Sequence, residues 1–201
     1  MSEPSRNNKK LLMHFETDDF DGNEVVVSRG NAKSRLMLIG EAPGETEANI
    51  GIPFVGRSGQ LLDQLLEGLG FDVNEDVYIC NVLKCRPPNN RKPTKKEISR
   101  HLPWLIQQIK LVDPLVIVAL GSTALEVVLG YKEKITKVRG TWKKINGIDL
   151  MPVFHPSYLL RNPSKACGSP FDLTRLDLSK AKDRFDSLKA SFEMNLSASK
   201  N

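Results

Sequence analysis

The segment from residue 36 to residue 59 reads LMLIGEAPGETEANIGIPFVGRSG and decides the fold of this chain. Its first four residues, 36–39, form a continuous apolar run, which predicts a strand that is covered on both faces. The residues 40–44, GEAPG, end that run abruptly and predict a loop at the carboxyl end of the strand. Ser58 then precedes a leucine stripe that predicts a helix. We expect an α/β fold built on a parallel sheet.

The loop after this first strand carries two candidate functional side chains. Glu41 lies between two glycines at the edge where parallel α/β sheets bind their ligands. A catalytic carboxylate and a capping or solvated carboxylate both fit this position. Phe54 lies on a short loop between a proline and a glycine, where its ring could stack on a flat ligand or fold back over the strand end.

Length and composition predict one soluble domain. The chain has 201 residues, 40% of them hydrophobic, and no apolar run near the ~20 residues that cross a bilayer. We expect an N-terminal extension at residues 1–33, a domain at residues 34–194 and a disordered tail at residues 195–201. The sequence lacks a signal-peptide core, and its three cysteines form no CxxC pair. These features predict a cytoplasmic monomer with free thiols and no membrane partner.

Positive charge is concentrated in two segments of the chain. The net charge is +5, and the isoelectric point is near 9.1. Residues 84–101 carry seven lysines and arginines against one glutamate, and residues 131–144 carry six against one. Nucleic acid is the expected partner of such segments, and a solvated basic surface is the alternative.

Polar residues also follow two later strands. Three further segments predict strands: 76–82, 114–120 and 148–154. Asn81 ends one of them and His155 follows another, so both should meet Glu41 at one edge of the sheet. Taken singly, Asn81 could form an Asx turn and His155 could be a hydrogen-bonded structural imidazole. We assign the junction at Gly121–Thr123 to the scaffold.

Four motifs, in this order, resemble those of the family 4 uracil-DNA glycosylases. They are GEAPGETE at 40–47, GIPFVG at 51–56, NVLKCRPPNNRKP at 81–93 and HPSYLLR at 155–161. The resemblance implies a three-layer α/β/α fold with a short central four-stranded parallel sheet. It also implies a monofunctional glycosylase that flips uracil out of single- or double-stranded DNA and leaves an abasic site.

The resemblance further implies a role for each matching residue. It makes Glu41 and His155 catalytic, the first on the attacking water and the second on the leaving base. The residues implied to bind uracil are Phe54, Asn81, Ala42 and Glu47. The residues implied to bind DNA are Lys84, Arg86, Arg91, Ser157, Leu159, Leu160 and Arg161, with Leu159 or Leu160 as the wedge that fills the gap in the base stack.

The chain departs from this family at the iron-sulfur cluster. The resemblance implies four cysteine ligands, but only Cys85 matches such a position, and His101 stands where a later cysteine is expected. Residues 1–35 contain no cysteine. We therefore expect no cofactor and no bound metal.

Two other functions remain open at this point. The same scaffold could serve as a DNA-binding or docking module without catalysis, although such a module would not need Glu41, Phe54, Asn81 and His155 together. A glycosylase for hypoxanthine or xanthine is the other alternative, because base range depends on the dimensions of the pocket.

Overall fold

Six strands form one sheet in the order β1-β3-β2-β4-β6-β5 in the computed structural model, which describes residues 24–198. The strands are β1 Arg29–Gly30, β2 Leu36–Gly40, β3 Tyr78–Asn81, β4 Val116–Leu120, β5 Lys143–Ile145 and β6 Ile148–Val153. β3, β2, β4 and β6 pair in parallel, whereas β1 and β5 pair antiparallel at the two edges. The predicted four-stranded parallel sheet is confirmed as the centre, and two short edge strands widen it.

Helices cover both faces of the sheet and form a three-layer domain. They are α1 Glu45–Ile50, α2 Arg57–Glu67, α3 Lys95–Val112, α4 Ser122–Leu129, α5 Ile135–Val138, α6 Pro156–Arg161 and α7 Pro170–Ala198. Successive strand residues point to opposite faces, so Leu38 packs in the core with α2, α6 and α7, and Ile39 packs in the core with α3 and α4. The α/β class is confirmed. No helix within residues 24–198 is long and apolar enough to cross a membrane.

From about residue 26 onward, the predicted N-terminal extension is part of the folded domain. Val26 and Val27 are buried, and the Val26 N–H donates to the Lys84 carbonyl over 2.7 Å. β1 then adds to the sheet beside β3, and Arg29 forms an ion pair with Asp63. Residues 1–23 lie outside the described part of the chain. The boundary predicted at residue 33 missed this strand because two residues carry too short a pattern to be read.

The carboxyl-terminal helix is longer than the sequence pattern indicated. It spans Pro170–Ala198, so residues 195–198, which we predicted to be disordered, continue it. The remaining residues of the predicted tail, 199–201, lie outside the described residues. The segment 156–161, for which the sequence pattern indicated no helix, forms the short helix α6 behind the cap residue His155.

The four parallel strands end at the same edge of the sheet, and the candidate site lies at that edge. The register sets Gly40 of β2 beside Asn81 of β3, and Leu120 of β4 beside Val153 of β6. Loops that leave these four strand ends therefore face one another, as expected for a parallel sheet.

Candidate active site

A cleft of about 780 Å³ opens at the carboxyl edge of the sheet. It brings together Glu41, Phe54, Asn81 and His155, which lie far apart in the chain. Glu41 follows β2, Asn81 ends β3 and His155 follows β6, so the fold places all three at one edge. The convergence inferred from the strand ends is present in the structure.

Asn81 presents a hydrogen-bonding atom that the protein leaves unused. The residue is 1% exposed and lines the cleft, yet its Oδ1 has no hydrogen-bond partner among residues 24–198. A buried polar atom without a partner costs roughly 1–3 kcal/mol, so such atoms are rare unless a ligand satisfies them. Asn81 forms no Asx turn with its side chain, and its amide is available to a bound molecule.

Phe54 is held against Asn81 by two glycines. A Cβ atom on Gly40 would lie 2.4 Å from Asn81 Oδ1 and 2.4 Å from Phe54 Cζ, so only glycine leaves room for both side chains there. Phe54 itself has a φ of 55°, and a Cβ atom on Gly59 would lie 1.8 Å from its carbonyl oxygen. The ring is 5% exposed, packs on the core and also lines the cleft. Both predicted roles of Phe54, covering a strand end and facing a ligand, are compatible with this position.

Glu47 connects the loop that carries Phe54 with the loop that follows β2 through hydrogen bonds. Its Oε1 accepts from the backbone N–H groups of Val55 and Gly56 over 3.1 and 2.8 Å, and its Oε2 accepts from Gly44 over 3.1 Å. Both carboxylate oxygens are therefore committed to the backbone. Glu47 lines the cleft, as the predicted uracil contact requires, and in the structure its carboxylate joins the two loops.

The surroundings of His155 fix its tautomer. Its Nδ1 accepts the backbone N–H of Ser157 over 3.1 Å and lies 2.9 Å from the Ser157 hydroxyl. A neutral ring that accepts at Nδ1 carries its proton on Nε2. Burial, assisted by the charge of Arg161, lowers the pKa of His155 to about 4, so the ring is neutral at physiological pH. His155 lies 5.9 Å from Phe54 between ring centroids and offers a neutral N–H donor to the cleft.

A threonine that the sequence analysis assigned to the scaffold orients Glu41. Thr123 Oγ1 donates to Glu41 Oε2 over 2.5 Å, and Oε1 takes no part in this hydrogen bond. Gly121, at the same junction, has a φ of 90°, and a Cβ atom there would lie 2.9 Å from His155 Cβ. Both residues follow β4, the one parallel strand whose end the sequence analysis did not connect with the site. The rule that located Glu41, Asn81 and His155 would have found this junction too, had we applied it to β4.

Lys84 does not contact DNA as predicted, because it is completely buried. Its Nζ donates to the main-chain oxygen of Asn81 and to Oε1 of Gln108. Gln108 in turn donates to the Tyr78 hydroxyl over 2.9 Å, and the Lys84 N–H donates to His101 Nδ1 over 3.1 Å. Burial lowers the pKa of the Lys84 ammonium. We refer to Lys84, Gln108, Tyr78 and His101 as the Lys84 network, which lies behind the strand that carries Asn81.

Leu159 is also wrongly predicted as a DNA contact. It is 1% exposed and belongs to the hydrophobic core under α6, so it is not available as a wedge. Leu160 is half-buried, and Arg161 is exposed and lines the cleft. Helical geometry separates these neighbours, since the side chains of adjacent residues in a helix point in different directions.

The remaining predicted contacts lie around the rim. Ala42 and Ser157 line the cleft, the latter with its hydroxyl against His155. Arg86 pairs with Glu45 at 3.1 Å, and Arg91 binds Glu97 through two hydrogen bonds of 2.7 and 2.8 Å. A DNA phosphate would compete with these carboxylates. The sequence analysis missed Arg57 and Ser58, which begin α2 and line the cleft.

The residues at the implied cluster position do not fit an iron-sulfur cluster. His101 accepts the Lys84 N–H at Nδ1, so a neutral ring holds its proton on Nε2 and has no free lone pair for a metal. Burial lowers the pKa of His101 to about 4, which keeps it neutral. Cys80 is buried within β3, Cys85 is buried and Cys167 is exposed. Within residues 24–198 no three His, Cys, Asp or Glu side chains are grouped so that they could hold a metal ion.

Comparison with known proteins agrees with this geometry. A profile described as the Uracil DNA glycosylase superfamily matches residues 27–179. The chain is 54% identical over 144 residues to the type-4 uracil-DNA glycosylase of Thermotoga maritima, which covers 70% of this chain and 73% of that protein.

Two proteins of Pyrobaculum aerophilum extend the comparison. Its type-4 uracil-DNA glycosylase is 44% identical over 148 residues, covering 70% of this chain and 75% of that protein. Its type-5 uracil-DNA glycosylase is 31% identical over 176 residues, covering 80% and 77%. The resemblance drawn from four motifs is confirmed. The chain therefore belongs to the uracil DNA glycosylase superfamily, in which it is similar to the type-4 members.

Proposed function

We propose that this protein removes uracil from DNA by hydrolysing the bond between the base and the deoxyribose of a flipped-out nucleotide. The observation that carries the proposal is Asn81 Oδ1, a buried acceptor with no partner in the part of the chain that the structure describes. It lies in a cleft that also holds Phe54, His155 and Glu41. An unpaired acceptor beside an aromatic ring fits the flat, hydrogen-bonding edge of a base. Family membership supports uracil as that base.

Selectivity follows from the amide of Asn81. Its Oδ1 accepts the N3–H of uracil, and its NH₂ group donates to O4. Cytosine presents an acceptor at N3 and a donor at C4, so both groups of the buried amide would face like groups. A site built around a polar edge rejects such an analogue strongly, because its own buried atoms stay unpaired. Phe54 stacks on the ring and limits its thickness.

His155 and Glu41 act on different parts of the reaction. As the bond between C1′ and N1 breaks, negative charge grows on the pyrimidine and positive charge grows on the sugar. The Nε2–H of neutral His155 donates to O2 of the leaving anion. Glu41, fixed through Oε2 by Thr123, accepts a hydrogen bond from the attacking water at its other oxygen and stabilises the positive sugar. The water oxygen joins C1′ as the bond to N1 breaks, the proton that the water loses passes to Glu41 and from there to solvent, and the uracil anion takes up a proton from solvent. The products are free uracil and an abasic site.

The rim residues hold the DNA around the cleft. Arg161 and Arg57 contact phosphates, and Leu160 fills the space left by the flipped base, since Leu159 is buried. Arg86 and Arg91 reach phosphates only by exchanging their carboxylate partners. We also expect the protein to act as a monomer in the cytoplasm on single- or double-stranded DNA.

The reaction as proposed needs no iron-sulfur cluster. His101, at the position where the resemblance implies a cysteine ligand, accepts the Lys84 N–H at Nδ1, which supports a protein without the cluster. Protein purified without oxygen should contain no stoichiometric iron and no absorbance near ~400 nm, the region of cluster absorption. A cluster in such a preparation would contradict this part of the proposal.

One experiment tests the proposed function directly. Purified protein is incubated with single- and double-stranded oligonucleotides that carry uracil, hypoxanthine, xanthine or thymine, and alkali then reveals abasic sites. Uracil excision supports the proposal, and excision of only a purine would replace uracil as the substrate. Tight binding without cleavage of any of the four would assign a non-catalytic DNA-binding role.

A further inference from the structure

The connector between α4 and β5 forms one wall of the cleft. Ile135 and Thr136, on α5, line the cleft directly. Lys134 caps this short helix, and Lys137 follows three residues later with its N–H bonded to the Lys134 carbonyl over 2.8 Å. Both lysines are exposed, and positions three apart in a helix share one face. The two positive side chains precede and follow the wall residues in the chain and share another face of α5, next to the cleft rather than inside it.

A buried ion pair holds this connector in place. Arg139 donates two hydrogen bonds to Asp177, whose side chain is completely buried, and its guanidinium lies 5.8 Å from the centroid of the Phe154 ring. The Gly140 N–H donates to the Pro152 carbonyl over 2.9 Å. Because Arg139 is the cap of α5, the anchoring begins at the helix itself. The backbone that carries the two lysines is therefore held in position at the carboxyl end of α5.

The lysines of the connector and of β5, which follows it, divide into paired and unpaired groups. In β5, Lys143 binds Glu133 at 2.7 Å, and Lys144 lies 3.6 Å from Asp149. In the connector, Lys132, Lys134 and Lys137 form no ion pair within the described range 24–198. On the other side of the cleft Arg86 and Arg91 are neutralised by Glu45 and Glu97. The uncompensated charge of the connector is thus beside the cleft.

We propose that Lys134 and Lys137 form a phosphate-binding platform for the DNA strand that leaves the cleft on the α5 side. The inference rests on the proposed function, because a flipped nucleotide in the cleft leaves its own strand on both sides. Phosphate contacts of this kind position the strand without reading its sequence. The connector also exposes Tyr131 at 54% and Trp142 at 37%. Basic residues with exposed aromatic rings are typical of surfaces that follow a nucleic-acid strand.

The test compares two double variants of the full chain with equal changes in net charge. One is Lys134→Ala with Lys137→Ala. The control is Lys33→Ala with Lys110→Ala, two exposed lysines at the opposite edge of the sheet, before β2 and near the end of α3. The probe is DNA with a tetrahydrofuran abasic analogue, so that binding is measured without catalysis.

The platform variant should bind this DNA roughly 10-fold more weakly at ~0.1 M salt, and the salt dependence of its log K should fall by about 1 to 2. The control should bind like the wild-type protein. Because the platform lies on one side of the cleft, the loss should disappear when one flank of the DNA is removed, and only that flank. The single-turnover excision rate at saturating protein should be unchanged.

Three outcomes overturn the platform. They are equal weakening in both double variants, no weakening in either, and a loss that survives removal of either flank. Failure of the proposed function looks different, since wild-type protein would then leave uracil in DNA whatever its affinity. Wild-type excision without a platform effect would reject the platform alone.

Discussion

Two polar regions flank the end of β3, and they differ in whether their hydrogen bonds are complete. In the Lys84 network, Lys84 donates to two acceptors and Gln108 donates to two more, although all these groups are buried. On the cleft side, Asn81 Oδ1 is equally buried and has no partner within residues 24–198. The same residue takes part in both regions, because its main-chain oxygen accepts from Lys84.

This difference separates scaffold from site. Complete hydrogen bonding stabilises one conformation and leaves nothing for a ligand, whereas an incomplete set costs stability until a ligand completes it. Burial alone does not make the distinction, since Lys84 is 0% and Asn81 is 1% exposed. The Lys84 network then has a clear role, which is to hold the strand end from which Asn81 enters the cleft.

Among the substitutions that test the cleft side of this comparison, Glu41→Gln should have the largest effect on the rate of uracil excision. Glu41→Gln preserves shape and the contact to Thr123 but removes the charge that opposes the developing positive sugar. We expect the single-turnover rate of uracil excision to fall by roughly 100- to 10,000-fold, while the affinity for DNA is unchanged.

Glu45→Gln is the matched control for Glu41→Gln. Glu45 begins α1, directly after the loop that carries Glu41, but its carboxylate is exposed and binds Arg86. Its excision rate should remain near that of the wild-type protein. If Glu41→Gln excised uracil at an unchanged rate, Glu41 would be a capping residue, and another group in the cleft would have to position the water.

His155→Ala should have the next largest effect. The variant loses the Nε2–H donor to the leaving base, and removing one such donor to a developing anion costs roughly 10- to 1000-fold in rate. Ser157→Ala removes only the hydroxyl beside Nδ1 and keeps the backbone N–H that fixes the tautomer, so its loss should be much smaller. Single-turnover rates of the two variants decide whether the donor or its support matters. Equal losses would contradict the role assigned to Nε2.

A pair of substitutions sharpens the contrast between complete and incomplete hydrogen bonding. Asn81→Ala removes an unpaired acceptor, so the free energy of unfolding should stay constant or rise slightly. Lys84→Met leaves the Asn81 carbonyl and Gln108 Oε1 without their donor, so the free energy of unfolding should fall by about 1–3 kcal/mol. Urea unfolding measures both values. Uracil excision should fall in both variants, and discrimination against cytosine should weaken most in Asn81→Ala.

Lys110→Met controls for loss of a lysine from the surface. Lys110 is exposed on α3, the helix that carries Gln108, and its substitution should leave stability unchanged. A Lys84→Met protein as stable as wild type would show that the network does not hold the strand end. A strongly destabilised Asn81→Ala protein would mean that Oδ1 has a structural partner.

The sequence was sufficient for the sheet centre and for the residues at its edge. Apolar runs define β2, β3, β4 and β6, and the rule that ligands bind at the carboxyl edge of parallel strands located Glu41, Asn81 and His155. The edge strands β1 and β5, of two and three residues, carry too little pattern to be read. Tertiary contacts decided the rest. A charged Lys84 in a basic segment favours a surface position, and only the position of Gln108, 24 residues later, makes its burial possible.

The smallest expected effect is the response of the excision rate to pH. His155 has its pKa lowered to about 4, so between pH 6 and pH 8.5 the ring stays neutral and the rate should change by less than about 2-fold. A cationic acid would behave in the opposite way, because its rate would fall as pH rises through its pKa. In acid, protonation of Nδ1 breaks the bond from the Ser157 N–H, and the rate should fall towards pH 4.

Stability should fall over a wider acid range than the rate, and this gives an independent check. His101 and His155 both have folded-state pKa values of about 4, below the ordinary value of 6.5. Between these values the unfolded chain binds protons that the folded chain does not, so the free energy of unfolding should decrease as pH falls from 6.5 to 4. In His155→Ala that pH dependence should become shallower, because the contribution of His155 is lost while that of His101 remains. A rate that declines from pH 6 to pH 8.5 would mean that His155 acts as a cation, and the neutral Nε2–H donor would have to be abandoned.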